Sequence, residues 1–180
     1  MALGETIIRP SVDSDVPAIA GIYGYHVQHG CASFEIEAPG AEEMGRRWSE
    51  VQRLGLPWLV AETAGGAIAG YAYASPYRSR PAYRFTLEDS IYVHPDCAGK
   101  GIGSLLLAEL IAVCERTEAR QMVAIIGDSL NASSIRLHEK FGFRHVGVLR
   151  AVGFKFGRWV DTVLMQRPLG PMQIRNEMEE

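Results

Sequence analysis

The spacing of apolar and polar residues changes several times along the chain between the period of a strand and the period of a helix. Alternating apolar and polar positions are typical of half-buried strands, whereas apolar residues three or four positions apart are typical of helices. The pattern predicts strands at residues 6–9, 58–63, 67–75, 84–93, 122–126, 146–156 and 159–166. It predicts a first helix that Asp13 caps and that carries apolar residues from 16 to 27, and further helices at 41–54, 104–117 and 132–141.

The order of these elements favours one domain with helices on both faces of a mixed sheet, an α/β (α+β) fold. Gly65-Gly66 predicts a tight hairpin turn between the second and third strands, and Gly157 predicts a terminal hairpin. A chain of 180 residues is in the size range of a single domain. We expect residues 1–169 to form this domain and residues 170–180, which lack apolar periodicity, to form a tail.

Composition and charge narrow the range of partners. The net charge of -3 provides no long-range attraction for nucleic acid or anionic lipid, and no segment has the length and apolar character of a membrane span. Cys31, Cys97 and Cys114 are widely spaced and odd in number, which favours a reducing cytoplasm. His26 and His29 lack a third ligand at a recognisable spacing, so we expect no metal site.

A glycine-rich loop follows the fourth predicted strand and leads directly into a helix. Gly99, Gly101 and Gly103 allow the backbone to turn its N–H groups towards one ligand, and the helix start adds a partial positive charge. The spacing does not match a P-loop, and G-x-G-x-G in mid-chain is a weak match to a dinucleotide fingerprint. The loop therefore predicts a binding site for a diphosphate, with Lys100 as a candidate charge partner.

Two motifs, in order, resemble those of the GNAT acetyltransferase superfamily. The loop resembles the family pattern [QR]-x-x-G-x-[GA], which Gly101 and Gly103 match, whereas Ala98 stands in place of the leading Gln or Arg. Residues 131–143 resemble the family's N-x-x-[AS]-x-x-[LF]-[YH]-x-x-x-G-[FY] helix and turn. The resemblance implies a GNAT-type domain with a mixed, mostly antiparallel sheet of about seven strands. It also implies N-acetyl transfer with acetyl-CoA as cosubstrate.

A narrower resemblance covers residues 7–169. The segments YAYA (71–74), YRSRPAYR (77–84), TLEDSIYV (86–93), SIRLHE (134–139) and VGFKFGRWVD (152–161) resemble the phosphinothricin and methionine sulfone acetyltransferase group. The pattern G-[FY]-K-x-G-x-W-x-D in the last segment is the most distinctive. The resemblance implies a small amino-acid-like acceptor of the phosphinothricin, methionine sulfone or methionine sulfoximine type. It also implies a homodimer and direct transfer within a ternary complex.

The acetyl-transfer chemistry assigns roles to two side chains. An amine acceptor must lose a proton before it attacks the thioester, and by resemblance Glu88 is the base. His138 matches the family position that serves the departing thiolate. Backbone N–H groups near Tyr92 and Val93 are candidate donors to the oxyanion, provided that their strand separates from its neighbour.

The remaining candidate residues bind the cosubstrate or the acceptor. The guanidinium groups of Arg78 and Arg80, near Tyr83, suit a carboxylate, phosphinate or sulfone. By resemblance, Phe34, Tyr73 and Val160 wall the acceptor pocket. The predicted acetyl-CoA contacts are Ile91, Tyr92, Val93, Gly99, Lys100, Gly101, Ile102, Gly103, Ser104, Asn131 and Ser134.

Two other interpretations remain open at this stage. One keeps the fold but changes the acceptor to a protein amino group or a polyamine; the basic loop at 78–84 argues against a polyamine. The other is a non-catalytic sensor that binds acyl-CoA, against which the presence of both Glu88 and His138 argues.

Overall fold

Seven strands form one sheet in the computed structural model, which describes residues 6–170 of the chain. The sheet order is β1-β2-β3-β4-β5-β7-β6, and the β4–β5 pair is parallel while the other neighbours are antiparallel. The strands are β1 (Ile7–Pro10), β2 (Trp58–Glu62), β3 (Ile68–Pro76), β4 (Thr86–Val93), β5 (Gln121–Gly127), β6 (Arg144–Lys155) and β7 (Arg158–Pro168). The predicted fold class is confirmed. Most of the predicted tail lies outside the described residues.

Four α-helices cover the sheet within residues 6–170. They are α1 (Val16–His29), α2 (Ala41–Arg53), α3 (Ile102–Cys114) and α4 (Ala132–Lys140). Single turns of 3₁₀-helix occur at Asp13–Asp15, Pro81–Tyr83 and Pro95–Cys97. None of the described helices has the length and apolar character needed to cross a membrane.

The start of the first helix differs from the prediction. Asp13 was the expected N-cap, but it begins a 3₁₀ turn, and α1 starts only at Val16. The carboxylate of Asp15 accepts hydrogen bonds from the Val12 amide (2.8 Å) and from Arg9 (2.8 and 2.9 Å). The Asp13 prediction is wrong because this ion pair with β1 fixes Asp15, rather than Asp13, at the helix entrance.

Two apolar cores lie on opposite faces of the sheet because successive strand side chains point to opposite faces. In β3, Ala72 and Ala74 pack with Leu106 and Leu110 of α3, and all four are 0% exposed. The opposite face carries a second core of aromatic and aliphatic residues shared with α1 and α2. Small residues on the α3 face let that helix approach the sheet closely.

β4 and β5 separate towards one end of the sheet. Their parallel pairing runs only from Thr86↔Gln121 to Asp89↔Ala124. Beyond it, β4 stays paired with β3 as far as Val93, and β5 stays paired with β7 as far as Gly127. The two strands therefore leave a wedge between them, which opens next to the N-terminus of α3. The strand separation on which the oxyanion prediction depends is present.

Candidate active site

Alternation along β4 decides which backbone groups face the wedge. Thr86 and His94 bond to the β3 side, because the Thr86 carbonyl accepts from Tyr77 (3.1 Å) and the His94 amide donates to Ala69 (2.8 Å). Even-numbered residues between them, including Tyr92, therefore direct their amides towards β3. The amides of Ile91 and Val93 face the wedge instead. Of the two predicted oxyanion donors, Val93 therefore directs its amide into the wedge and Tyr92 does not.

The glycine loop next to the wedge exposes a run of amides. Gly99 and Gly101 have φ values of 73° and 84°, in the left-handed region that favours glycine. The five amides of residues 99–103 have no hydrogen-bond partner within the described part of the chain. α3 begins at Ile102, so its positive end lies at these amides. Such an arrangement fits a diphosphate.

A groove of about 960 Å³ runs past this loop. Of the predicted cosubstrate residues, it is lined by Val93, Gly99, Gly101, Ile102, Gly103, Ser104, Asn131 and Ser134. Ile91 and Tyr92 line a smaller cavity of about 50 Å³ inside the wedge, which also includes Asn131 and Ser134. Lys100 does not line the groove, and its Nζ donates to the Asp96 carbonyl at 2.6 Å.

The groove also contains residues that the sequence patterns missed. The missed lining residues include Tyr25, His26, Cys31, Asp128, Arg136 and Arg158. His26 donates from Nε2 to the Val93 carbonyl at 2.8 Å, and Arg158 forms an ion pair with Asp128. The sequence gives one indication for Arg158, which lies in the distinctive 152–161 segment. No local pattern in the sequence indicates that His26 contacts β4.

Asn131 supports the start of α4 while it lines the groove. Its side chain accepts from the Ser134 amide at 3.2 Å, which is an N-cap interaction. On the next turn, Leu137 lies close to α3, because a Cβ at Gly103 would be 3.2 Å from Leu137 Cδ2. Leu137 therefore holds α4 against the N-terminus of α3, beside the glycine loop.

Glu88 lies half-buried on β4 on the sheet face that carries Tyr92. Burial, and to a smaller extent the charge of Asp89, raise its pKa to about 7, while the charge of Arg78 opposes the shift. Among the described residues the Glu88 carboxylate forms no hydrogen bond or ion pair. A carboxylate with this pKa can take a proton from an amine near neutral pH.

His138 lies on the opposite face of the sheet and is 4% exposed. Its Nδ1 is 2.7 Å from the Ser134 carbonyl, and its Nε2 is 3.0 Å from Asp89 Oδ2. Burial lowers its pKa, but the hydrogen bond and charge of Asp89 outweigh this effect, so the pKa lies above 6.5. Glu88 and His138 therefore approach the wedge from opposite faces. The partnership with Asp89 was not predicted.

The predicted acceptor residues differ in exposure. Arg78, Arg80 and Tyr83 are exposed on the segment after β3. The Arg78 guanidinium lies over the Tyr77 ring at 5.0 Å, and Tyr77 in turn makes an edge contact with Tyr83. Arg80 forms no ion pair within residues 6–170. This loop thus presents two guanidinium groups to solvent.

The three predicted wall residues are also in different environments. The Phe34 side chain is 38% exposed and its ring packs against Gly153, where a Cβ would lie only 2.3 Å away. Tyr73 is stacked on Trp58 with 4.1 Å between ring centroids. Val160 is 1% exposed, so its side chain does not reach an open pocket in this structure.

The segment that follows α1 is fixed over the sheet by a buried lysine. Lys155 is 4% exposed and donates from Nζ to the carbonyls of Gly30 (2.9 Å) and Ser33 (2.7 Å). Gly127 lets this segment approach, because a Cβ there would lie 1.9 Å from the Cys31 carbonyl oxygen. Residues 30–32 of this segment thereby form one wall of the groove. Lys155 belongs to the distinctive 152–161 segment, and its role here is to hold this wall in place.

Comparisons with known proteins agree with this geometry. Residues 25–143 match the acetyltransferase (GNAT) family. The chain is 56% identical over 162 residues to a phosphinothricin N-acetyltransferase from Alcaligenes faecalis, a match that covers 90% of this chain and 82% of that protein. It is 40% identical to an L-methionine sulfoximine/L-methionine sulfone acetyltransferase from Salmonella typhimurium, over 90% of this chain and 94% of that protein.

A solved structure shows the same fold with the expected cosubstrate. It is a GNAT superfamily phosphinothricin acetyltransferase from Sinorhizobium meliloti in complex with AcCoA, with a TM-score of 0.89 and 47% identity. The match covers 92% of this chain and 89% of that one. The glycine loop, the wedge and these matches together establish that the chain belongs to the acetyltransferase (GNAT) family and is an N-acetyltransferase.

Proposed function

We propose that the protein transfers the acetyl group of acetyl-CoA to the amino group of a small amino-acid-like acceptor of the phosphinothricin, methionine sulfone or methionine sulfoximine type. The observation that carries this proposal is the wedge between β4 and β5, with free amides at one end and Glu88 at its side. The names of the relatives from Alcaligenes faecalis and Salmonella typhimurium support the acceptor class.

The binding of acetyl-CoA follows from the polar groups along the groove. The amides of residues 99–103 bind the diphosphate, and the wedge-facing amide of Val93 binds the pantetheine arm as an added strand would. Asn131 and Ser134 line both the groove and the inner cavity, so they lie where the arm enters the wedge. The absence of a long side chain at Ala98 leaves the diphosphate to the backbone amides.

The acetyl transfer is direct, within a complex of enzyme, acetyl-CoA and acceptor. The amine nitrogen attacks the thioester carbon, and Glu88 takes the proton that the nitrogen loses, either directly or through water. The wedge-facing amide of Ile91, which lines the inner cavity, stabilises the oxyanion of the tetrahedral intermediate. Collapse of this intermediate breaks the C–S bond and releases the CoA thiolate. No acetyl-enzyme intermediate forms in this scheme.

Acceptor selection comes from the exposed guanidinium groups after β3. Arg78 and Arg80 bind the carboxylate or the phosphinate or sulfone oxygens, and Tyr83 lies beside them. Phe34 and Tyr73 contribute apolar surface on the same side. Such a basic entrance favours amino acids over polyamines, which carry only positive charge.

We also propose that the enzyme acts as a homodimer in the cytoplasm. Support for a dimer is the apolar surface on the edge strand β6, where Val146, Val152 and Phe154 are more than half exposed. Support for a cytoplasmic setting is the absence of any disulfide among the three cysteines, all of which are free thiols.

A panel of acceptors tests the proposed function. Free thiol release from acetyl-CoA is measured with phosphinothricin, methionine sulfone, methionine sulfoximine, spermidine and a peptide with a free N-terminus. We expect kcat/KM for the three amino acids to exceed that for spermidine and the peptide by at least about 100-fold, since loss of charge-assisted hydrogen bonds costs about 3 kcal/mol. Preference for spermidine or the peptide would reject the acceptor class, and calorimetry without heat on adding acetyl-CoA would reject the function.

A further inference from the structure

A buried carboxylate and a buried imidazole meet at the inner end of the wedge. Their side chains are 2% (Asp89) and 4% (His138) exposed, and Asp89 Oδ2 lies 3.0 Å from His138 Nε2. The two residues are 49 positions apart, one on β4 and the other on α4. Among the described residues, the second carboxylate oxygen, Asp89 Oδ1, has no hydrogen-bond donor.

The hydrogen bonds of His138 fix the number of protons that the pair holds. The Ser134 carbonyl can only accept, so Nδ1 must carry a proton. The contact between Nε2 and Asp89 Oδ2 requires one further proton, and the raised pKa of His138 favours the imidazole as its carrier. The pair therefore shares one proton and is neutral overall, which is the low-cost state for a buried acid and base.

The surroundings of the pair favour retention of this proton. The titratable groups that act on it are Glu88 on β4, whose pKa is raised in part by the charge of Asp89, and Cys114 on α3. Burial raises the pKa of Cys114 to about 12, with a smaller contribution from Asp89, so this thiol stays neutral. The ring of Phe143 covers the imidazole edge-on at 4.9 Å. The shared proton is shielded from bulk solvent.

The pair borders the space that the thioester enters. The cavity inside the wedge is lined by Asp89 and His138 together with the backbone of residues 90–92. Asn131, Ser134 and Gly127 line both this cavity and the large groove, so the two spaces adjoin. A thioester held between β4 and β5 would have its sulfur near the Asp89–His138 pair.

We propose that Asp89 is a positioning residue that keeps His138 protonated. His138 then donates this proton to the departing thiolate. This inference rests on the proposed function. When the C–S bond breaks, its electron pair passes to sulfur, and the sulfur takes the shared proton across the cavity. His138 then keeps only the Nδ1 proton and Asp89 is ionised. The net negative charge of the buried pair makes it recover a proton from solvent before the next turnover.

Substitution of Asp89 by asparagine tests this role. In Asp89→Asn a neutral amide replaces the carboxylate, so Nε2 loses its proton at lower pH while the shape of the site is kept. We expect kcat to fall by about tenfold, which is below the usual range for general acid catalysis because thiolates are good leaving groups, with KM for acetyl-CoA unchanged within about twofold. The alkaline limb of the kcat profile should move to lower pH, because the imidazole loses the partner that retains its proton.

The same substitution at an exposed aspartate, Asp13→Asn, is the matched control and should leave both the rate and the profile unchanged. A folded, active Asp89→Asn enzyme with an unmoved alkaline limb would overturn the role of Asp89 alone. Inactivity of the unaltered enzyme with every acceptor would instead overturn the proposed function.

Nitrogen NMR of the unaltered protein provides a second measurement that does not depend on the variant. Labelled His138 should carry protons on both nitrogens at pH 6.5 and should titrate above that value. Titration of His138 at or below pH 6.5 would overturn the shared-proton pair even if Asp89→Asn does not fold.

Discussion

Adjacent acidic residues on β4 have opposite surroundings. Glu88 and Asp89 are neighbours in sequence, but alternation along the strand places their carboxylates on opposite faces of the sheet. The Asp89 carboxylate is hydrogen-bonded to His138, whereas the Glu88 carboxylate forms no hydrogen bond or ion pair among the described residues. One carboxylate is therefore committed to a buried partner, and the other is available to a substrate amine.

Replacement of Glu88 by glutamine should remove the base. We expect kcat/KM at pH 7.5 to fall by about 10² to 10³-fold, within the range for general base catalysis. Because the pKa of Glu88 is raised to about 7, the unaltered enzyme should gain activity as the pH rises through 7, when the carboxylate ionises. This acid limb should disappear in Glu88→Gln.

Acetyl-CoA affinity, measured by calorimetry, should be nearly the same in Glu88→Gln because the glycine loop is untouched. Glu42→Gln, at an exposed position on α2, is the control and should behave as the unaltered enzyme. Retention of the acid limb in Glu88→Gln would mean that another group accepts the proton.

Replacement of Arg80 by glutamine should weaken acceptor binding. Its guanidinium is exposed and forms no ion pair within residues 6–170, so it can bind an acceptor carboxylate. We expect KM for an amino-acid acceptor to rise by about 10 to 100-fold, the equivalent of one charge-assisted hydrogen bond. KM for an amine without a carboxylate should not change.

Steady-state kinetics with phosphinothricin and with its decarboxylated amine provide this comparison. Arg53→Gln removes an exposed charge at the end of α2 and should leave both KM values unchanged. Equal losses for the two acceptors in Arg80→Gln would show that the arginine does not recognise the carboxylate.

At the scale of elements, the groove depends on contact between a loop and two strands. Residues 30–34 are held by the Lys155 ammonium, and they pack against the two glycines of β5 and β6, Gly127 and Gly153. Burial lowers the pKa of Lys155, but the two carbonyls satisfy its donors. The wall of the groove is therefore built from backbone as well as from side chains.

An alanine at Gly127 should displace this wall. The added Cβ would lie 1.9 Å from the Cys31 carbonyl oxygen, so the loop must move away from β5. We expect a loss of about 1 to 3 kcal/mol in the free energy of unfolding, as for other overpacked sites, together with weaker acetyl-CoA binding. Chemical denaturation and calorimetry measure the two effects.

Gly147→Ala is the matched control, because Gly147 lies on β6 and a Cβ there meets nothing within 4 Å. Its free energy of unfolding should stay within about 0.5 kcal/mol of the unaltered value. Equal stability of the two variants would contradict the close approach of the loop to β5.

At the scale of the whole molecule, the sheet has two edges of unequal character. β1 is four residues long, whereas β6 has twelve residues and exposes several apolar side chains. A long apolar edge strand tends to pair with other chains and to aggregate unless a partner covers it. The proposed homodimer covers the β6 edge.

Sedimentation of the purified protein should therefore give twice the chain mass of 19.8 kDa. Val146 is 60% exposed on β6 and is the position chosen to disrupt the dimer contact. The Val146→Lys variant should shift the protein towards monomer, because dimer formation would bury an unpaired charge. Ile7→Lys, at a position 53% exposed on β1, should remain dimeric. A dimer that Val146→Lys leaves intact would place the contact elsewhere.

The sequence alone determined the order of the elements, the glycine loop and the GNAT family of the chain. These features depend on neighbouring residues: hydrophobic spacing sets each element, and glycines at 99 and 101 permit the left-handed backbone that exposes the amides. Local rules failed at Asp13, where an ion pair between Arg9 and Asp15 moved the start of the helix.

Only the tertiary structure decided how the site is assembled. It paired His138 with Asp89, directed the Val93 amide into the wedge, buried Val160 and brought Lys155 under residues 30–34. Each of these contacts joins residues far apart in sequence or depends on strand register. The energy of such contacts arises only when the chain brings the partners together, so no local pattern records them.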